Sequence, residues 1–412
     1  MQNIFEDNYT KIIEPVYGSK RDVVHDESLT VDSFHKFQIK DRISFCDRNT
    51  YSIDPDGCLD ADDAFSIYKE DEKLYLAIHI ADPTEYIDIH SPLWEDIKIR
   101  TTTKYLSNRP PIHMIPKKVL ELSSLMENSK GDCKKAITVL TEIDKNTYMP
   151  VNSIKLLYTE LKVKKENAFT YYEASKSDLE EIKTGLLIAE KLKEMRAEKT
   201  KGVKLNELSM AYPKYTEDGI YLYVDSEEEK KVKQMIAEFA IFANSFVGEY
   251  LKINLNMGIF RTCNANEWLR DLYSEISPED MIKEIITNGI KADYLSNAES
   301  HDLVGMPEYC HFTSPIRRVA DCICHYLLKY IHLRPNVDCP FGENELGLLA
   351  NSCLMTTKKD KKNQYLDIKF RLLQLMSKIL EKNPNITIEY YITSYKGLFL
   401  NLIISKIDEY NV

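Results

Sequence analysis

Hydrophobic and polar positions divide the chain into a strand-rich first part and a helix-rich second part. Residues 1–40 are polar and mixed, without a strong period. Two β-rich runs follow, Ala64–Lys69 and Lys73–Ala81 (KLYLAIHIA), and the charged turn between them predicts a hairpin. Helical spacing takes over later. Leu179, Ile182, Leu186, Ala189 and Leu192 share one face, with Ser177 and Glu180 reading as a capping box and Gly202 as a stop. A second box, Ser226 with Glu229, opens a long helix whose apolar stripe is Val232, Met235, Phe239, Phe242, Phe246 and Tyr250. A third helix is expected to start at Pro315, capped by Ser314, and to end at Pro335. Its buried face would be Ile316, Ala320, Ile323, Leu327 and Ile331. Residues 336–345 (NVDCPFGENE) read as a linker. A further helix fills roughly 345–382, with a basic run, KKDKK, at 358–362. The last segment, ITIEYYITSYKGLFLNLIISKI, alternates like two or three strands with a turn at Lys396–Gly397. Strands followed by helices predict an α+β architecture.

Composition narrows this picture. At roughly 100–200 residues per domain, 412 residues suggest one large domain with an appendage, or two to three small ones. The net charge of −11 is the wrong sign for a chain-wide nucleic-acid surface, so a polyanion would have to meet a local basic patch. Nine cysteines are scattered without a CxxC pair, Cys322 and Cys324 being the only close ones. That excludes a zinc ribbon and predicts reduced thiols in a cytosolic compartment. No apolar run approaches the ~18 residues of a membrane span. The opening MQNIFEDNYTK carries acids where a signal peptide needs a basic and then apolar start.

The chemistry is concentrated in SIDPDGCLDADDA, residues 52–64. Asp54, Asp56, Asp60, Asp62 and Asp63 lie within ten residues. Like charges this close raise one another's pKa, and a hard cation removes the conflict. A calcium loop or a solvated acidic turn are the plainer readings. The EF-hand version fails, because the positions that need Gly and Glu are Leu59 and Phe65. The cluster runs into the expected hairpin, which places carboxylates at a strand edge. Two metals ~4 Å apart bind the attacking and leaving oxygens of an in-line displacement, and several carboxylates must share them.

The spacing Asp54, Asp60, Asp62, Asp63 in IDPDGCLDADDAF resembles the signature of the ribonuclease II/ribonuclease R family, the RNB-type exoribonucleases. Further matches keep the family's order: HIADPTEYI (79–87), RTTTKYL (100–106), IHMIPKKVLELSSL (112–125), AFTYYEA (168–174), GVKL (202–205) and IAEFAIFANSF (236–246). HFTSPIRRVAD (311–321) is the second strong signature. The resemblance covers roughly residues 40–335.

The resemblance implies an RNB-type α+β catalytic domain over 41–335, after an N-terminal arm at 1–40. A linker and a packing helix would follow at 336–384, and a partial β-barrel-like (OB-like) segment at 385–412. It implies that Asp54, Asp60, Asp62 and Asp63 hold magnesium at the scissile phosphate. Two ions are expected, with manganese as a substitute. Asp54 and Asp63 would be the direct ligands, Asp62 the position most tied to catalysis, and Asp60 the completion of the set. Tyr105 and Tyr171 match tyrosines at the terminal nucleotides. By their surroundings alone they are half-buried structural tyrosines. Glu238 matches a contact to the RNA end, or else is a solvated flank of its helix. Arg317 would join the catalytic set and bind phosphate at the start of its helix, with Arg318 beside it. The plainer alternative is an Arg317–Asp321 pair at i,i+4.

There are departures. Forty residues cannot hold the family's two N-terminal barrels, the C-terminal barrel is partial, and the family's base-stacking phenylalanine has Leu205 as its nearest counterpart. The expected activity is hydrolytic 3′→5′ degradation of single-stranded RNA to nucleoside 5′-monophosphates in the cytoplasm. The alternative is an RNA-binding protein that keeps the fold with weak or no catalysis.

Overall fold

Two short strands, β1 (Ile43–Ser44) and β2 (Ser52–Asp54), precede the expected hairpin, β3 (Asp63–Glu70) and β4 (Lys73–Ala81). Asp71 and Glu72, at φ 49° and 61°, form its two-residue turn. Positive φ at both central positions matches the twist of the strands. Next come α1 (Pro92–Arg100), β5 (Lys104–Leu106), β6 (Arg109–Ile112), α2 (Lys117–Ser123), β7 (Lys134–Ile143) and β8 (Lys155–Leu161). A five-stranded sheet has the order β1-β8-β7-β4-β3. Its pairs are antiparallel except the parallel edge β1–β8. This computed structural model describes residues 31, 34–106, 109–126, 133–151, 154–200, 212–216, 219–264, 292–397 and 399–407. Gly202 and Leu205 lie outside the described residues, as does most of the 1–40 arm.

One face of the sheet carries a buried polar ladder. Ser66 Oγ lies 3.0 Å from Thr50 and 3.1 Å from His79 Nε2. His79 Nδ1 is 2.8 Å from Thr138, which lies 2.7 Å from Thr159. Burial pushes the His79 pKa down to about 3, so the imidazole stays neutral.

The chain continues through β9 (Ala168–Thr170), α3 (Tyr171–Ser175), α4 (Glu180–Thr200), β10 (Tyr212–Thr216), β11 (Gly219–Tyr223) and α5 (Glu227–Leu255). The Ser226–Glu229 capping box forms at the start of α5 as expected. Val232, Met235, Phe239 and Phe242 are buried, while Phe246 and Tyr250 are partly buried against the core. Phe239 meets Phe65 of β3 with ring centroids 5.5 Å apart. Each such side chain contributes roughly 1.5–3 kcal/mol on burial, which ties α5 to the sheet. Gly248 lets the helix approach Tyr309, where an added Cβ would lie 3.0 Å from the backbone nitrogen. The expected Ser177–Glu180 box is corrected. The helix begins only at Glu180, and Ser177 Oγ accepts from the N–H of Leu179 instead.

The remaining elements are β12 (Phe260–Thr262), β13 (Asp293–Leu295), α6 (Val319–Leu333), α7 (Glu343–Lys382), β14 (Ile388–Lys396) and β15 (Phe399–Ile407). α6 starts later than expected: Pro315–Arg317 is a turn and Arg318 is the extended N-cap residue. Ile316, Ala320, Ile323, Leu327 and Ile331 are nevertheless all buried. β14 and β15 pair as an antiparallel ribbon around Lys396–Gly397.

α6 is buried nearly all round, including polar groups, so these must be paired. Lys329 Nζ lies 3.0 Å from Asp82 and 2.9 Å from Glu85, both just after β4. Arg42 reaches each carboxylate at 2.7 Å, and all four side chains are at most 3% exposed. This network joins the chain before β1, the end of β4 and the centre of α6.

The expectation of reduced thiols is corrected for Cys46 and Cys133, which form a disulfide with Cα atoms 6.4 Å apart, while the other seven cysteines are free. The two cysteines are separated by 87 positions, so spacing alone could not pair them. No helix among the described residues is long and apolar enough to cross a membrane. The mixed sheet with its surrounding helices is the expected α+β fold.

Candidate active site

The five acidic residues occupy the connection from β2 to β3. Asp54 ends β2 and Asp63 begins β3. Between them, Cys58 N–H donates to Pro55 O across a tight turn, in which Gly57 takes φ 74°, a value costly for other residues. Ala61 O accepts from Leu125 N–H and Asp62 O from Ala81 N–H, which clamps the second half of the loop. β2 pairs in parallel with β9, Asp54 opposite Thr170, and this brings Tyr171 alongside the cluster.

The partner segment is Thr313–Val319, distant in sequence. Thr103 N–H donates to Arg317 O, and Val319 N–H to Thr101 O, so residues 101–103 lie antiparallel to 317–319. This register fixes Arg317. Its Nε donates to Asp62 Oδ2 at 3.0 Å and its Nη2 to Ser314 at 2.8 Å, while Ile316 N–H donates to Asp62 Oδ1 at 2.8 Å. The anticipated Arg317–Asp321 pair is therefore corrected: Asp321 binds Arg318 Nη2 at 2.8 Å. Arg317 precedes the helix instead of lying in its first turn. Tyr105 hydroxyl donates to Asp60 Oδ2 at 2.5 Å.

Asp54 and Asp63 differ from the other two. Asp54 Oδ2 is buried without a hydrogen-bond partner among the described residues, and its other oxygen accepts from the Cys58 thiol at 3.7 Å. Burial, then the charge of Asp62, raises Asp54 to about 6. Burial and the charge of Asp54 raise Asp63 to about 7, against Arg317 and Arg318. Burial likewise raises Asp62 to about 7, opposed by Arg317 and the Ile316 N–H. Ionised, these groups oppose folding. Their folded pKa values exceed the ordinary 3.8, so the penalty is full above pH 7 and fades as pH falls towards 4. Asp63→Asn should therefore stabilise the metal-free chain at pH 8. Denaturant melts at several pH values should show that gain shrinking below pH 7, and a gain constant with pH would contradict the assignment.

Among the described residues, no three His, Cys, Asp or Glu side chains converge closely enough to hold an ion unaided. Two carboxylates suffice for magnesium, which keeps waters and takes further oxygens from substrate phosphates. The all-oxygen pair Asp54 and Asp63, with its unpartnered atom, fits a hard divalent cation.

Glu238 is neither a solvated flank nor open to a ligand as it stands. It is 1% exposed, Arg196 grips both oxygens at 2.6 and 3.2 Å, and Gln234 donates at 2.7 Å. Tyr171 is half-buried with Lys233 Nζ 5.3 Å from its ring centre. Two residues at the cluster were missed. His113 Nδ1 lies 3.9 Å from Asp60, and Cys58 sits between Asp54 and Asp60. Cys58 was inside the motif and could have been noticed. Nothing local marked His113.

Residues 42–333 match the family model of the RNB domain. A ribonuclease R of Helicobacter pylori (strain ATCC 700392 / 26695) is 25% identical over 445 residues, covering 91% of this chain and 66% of its own length. The mitochondrial exoribonuclease II of Saccharomyces cerevisiae is 24% identical, covering 86% of this chain and 40% of its own length. The chain thus spans two thirds or less of these relatives. Among solved structures, an active-site mutant of Dss1 exoribonuclease from Candida glabrata superposes with TM-score 0.75 at 19% identity, over 89% of this chain and 50% of that one. Mycoplasma genitalium RNase R in complex with ribose-methylated single-stranded RNA gives 0.72 at 19%, over 96% and 66%. Yeast Ssd1, a pseudonuclease, gives 0.69 at 16%, over 90% and 50%. At these identities the structures show a shared fold.

Proposed function

The chain belongs to the RNB domain family, and on that premise we propose that it is a divalent-metal-dependent exoribonuclease, hydrolysing single-stranded RNA from the 3′ end to nucleoside 5′-monophosphates. One observation carries the reading. Asp54 keeps a buried carboxylate oxygen without a hydrogen-bond partner among the described residues, and burial and the charge of Asp54 push Asp63 up to about 7, while the adjoining Asp62 is held by Arg317 and a backbone N–H. The fold by itself does not carry catalysis, since the pseudonuclease Ssd1 shares it. Retention of all four aspartates favours a working nuclease over an RNA-binding relic. The names of the relatives, ribonuclease R and exoribonuclease II, support RNA as the substrate.

In this reading Asp54 and Asp63 hold magnesium, for which manganese can substitute, and the set is completed by Asp60, Asp62 and the substrate phosphate. Bound metal supplies positive charge at the attacking and leaving oxygens of the phosphodiester. The chain's own groups do the rest. Arg317 is anchored through Nε and Nη2, and its side chain remains 45% exposed. It is thereby oriented to meet a phosphate without first having to be ordered. Asp62 positions Arg317, and Asp60 positions Tyr105 for the terminal nucleotide. Tyr171 and Glu238 would also contact the terminal nucleotides, with Arg318 beside Arg317. Glu238 would have to exchange its Arg196 contact to do so.

The test is incubation with 3′- and 5′-labelled single-stranded RNA, with and without magnesium. Expected are mononucleotides from the 3′ end, a ladder of shortened RNA, dependence on the metal, and no attack on circular RNA or on DNA. Cutting a closed circle would show an endonuclease, and early release of the 5′ label would reverse the direction.

A further inference from the structure

On the Asp60–Asp62 side of the site lies a cleft of about 190 Å³ between residues 102–105, the turn at Arg317–Arg318 and the middle of α7. Tyr105 and Arg317 border both this cleft and the aspartates. Its walls carry Lys104, Arg317, Arg318 and Lys361 against one carboxylate, Asp360, which accepts from the Thr102 hydroxyl at 2.8 Å. Arg317 and Arg318 are tied to Asp62 and Asp321. Lys361 makes no ion pair among the described residues. Thr357, Lys361 and Gln364 are spaced i, i+4 and i+7, so one face of α7 presents a hydroxyl, an ammonium and an amide to the same space. Desolvation first, and then the neighbouring Arg261 and Arg318, lower the Lys361 pKa.

We propose that this cleft is a phosphomonoester subsite, in which Lys361 binds a terminal, dianionic phosphate with Thr357 and Gln364 as neutral donors. Lys361, which is tied to no carboxylate among the described residues, together with the already paired Arg317 and Arg318, favours a dianion over the single charge of an internal phosphodiester. The inference rests on the RNA-degrading reading for the origin of that phosphate. It is either the 5′-phosphate of a released nucleotide or a 3′-phosphate on an RNA end.

Binding is measured by calorimetry on the full chain in chelator, so that no cleavage occurs. The probes are adenosine 5′-monophosphate, adenosine, and one short RNA oligonucleotide with either a 3′-hydroxyl or a 3′-phosphate. The phosphate should strengthen binding about tenfold in at least one pair, and Lys361→Ala should remove that advantage. Lys362→Ala, a neighbour outside the cleft, should preserve it. An advantage confined to the mononucleotide identifies the released product, and one seen with the oligonucleotide identifies the RNA end. Gln364→Ala serves as a second variant, with circular dichroism to confirm folding. The proposal is overturned if neither pair shows an advantage, or if the advantage survives Lys361→Ala. A chain that leaves RNA intact yet keeps Lys361-dependent binding would overturn the nuclease reading and leave the subsite standing.

Discussion

Asp62→Asn is expected to cut RNA cleavage by at least about 10³-fold, the scale seen when a pre-positioned catalytic group is removed, while leaving the fold intact. The carboxylate accepts from Ile316 N–H and Arg317 Nε at 2.8 and 3.0 Å. The amide keeps one oxygen for the Ile316 N–H and nearly the same volume. It loses the charge that aims Arg317. Because the Arg317 side chain is 45% exposed, water can solvate it, and no bare cation is left buried. The stability cost should therefore stay within about 2 kcal/mol. Removing one charge from a mutually repelling set offsets part of that. The check is single-turnover cleavage of labelled RNA, alongside thermal melting and RNA affinity. Cleavage at the parental rate would show that Asp62 has no part in the chemistry. Equal losses of activity and of folded protein would show that its part is structural.

Lys329→Met should have the largest effect on stability, a loss of about 3–5 kcal/mol, because it leaves buried carboxylates short of a cation. Lys329 and Asp82 are fully buried, and Glu85 is 1% exposed. Arg42 remains, as does Lys135 at 3.3 Å from Glu85, but neither replaces the Lys329 contact to Asp82. Burial would raise Asp82, yet Lys329, His325 and Arg42 outweigh it and hold Asp82 well below the usual carboxylate range. Glu85 is lowered in the same way. Depressed carboxylates contribute stability that is present above their unfolded pKa, near 4, and lost as pH falls through the folded values. The parent should thus unfold steeply below about pH 4. The variant, already without much of that contribution, should show a flatter acid limb. Urea melts from pH 3 to pH 7 measure both effects. A loss under about 1 kcal/mol, with an unchanged acid limb, would mean that the network is dispensable. The network anchors the centre of α6, the helix that follows Arg317 and Arg318, so the variant should also lose activity before it unfolds completely.

Much of this protein was determined by short-range pattern. The β3–β4 hairpin, the Ser226–Glu229 cap and the buried stripe of α5 follow from spacings within one or two turns or one strand pair, and all three form. The carboxylates crowd together because they are neighbours in the chain. Their closeness was therefore readable, but the raised pKa values of Asp54, Asp62 and Asp63 come first from burial, which only the packed chain supplies, with mutual repulsion adding to it. Tertiary structure decided which charge meets which. Arg317 had Asp321 at helical spacing, yet it binds Asp62, 255 positions away, because residues 101–103 pair with 317–319 and hold Arg317 ahead of the helix. Glu238 sits on the predicted helix, but its burial against Arg196 depends on how α4 packs on α5. Cys46 meets Cys133 across 87 positions, and Lys361 reaches the site only because α7 runs past it. Local periodicity specifies the faces that elements bury, since the backbone alone sets those distances. The partners of charged and thiol groups depend on the register between elements, which only the packed chain establishes.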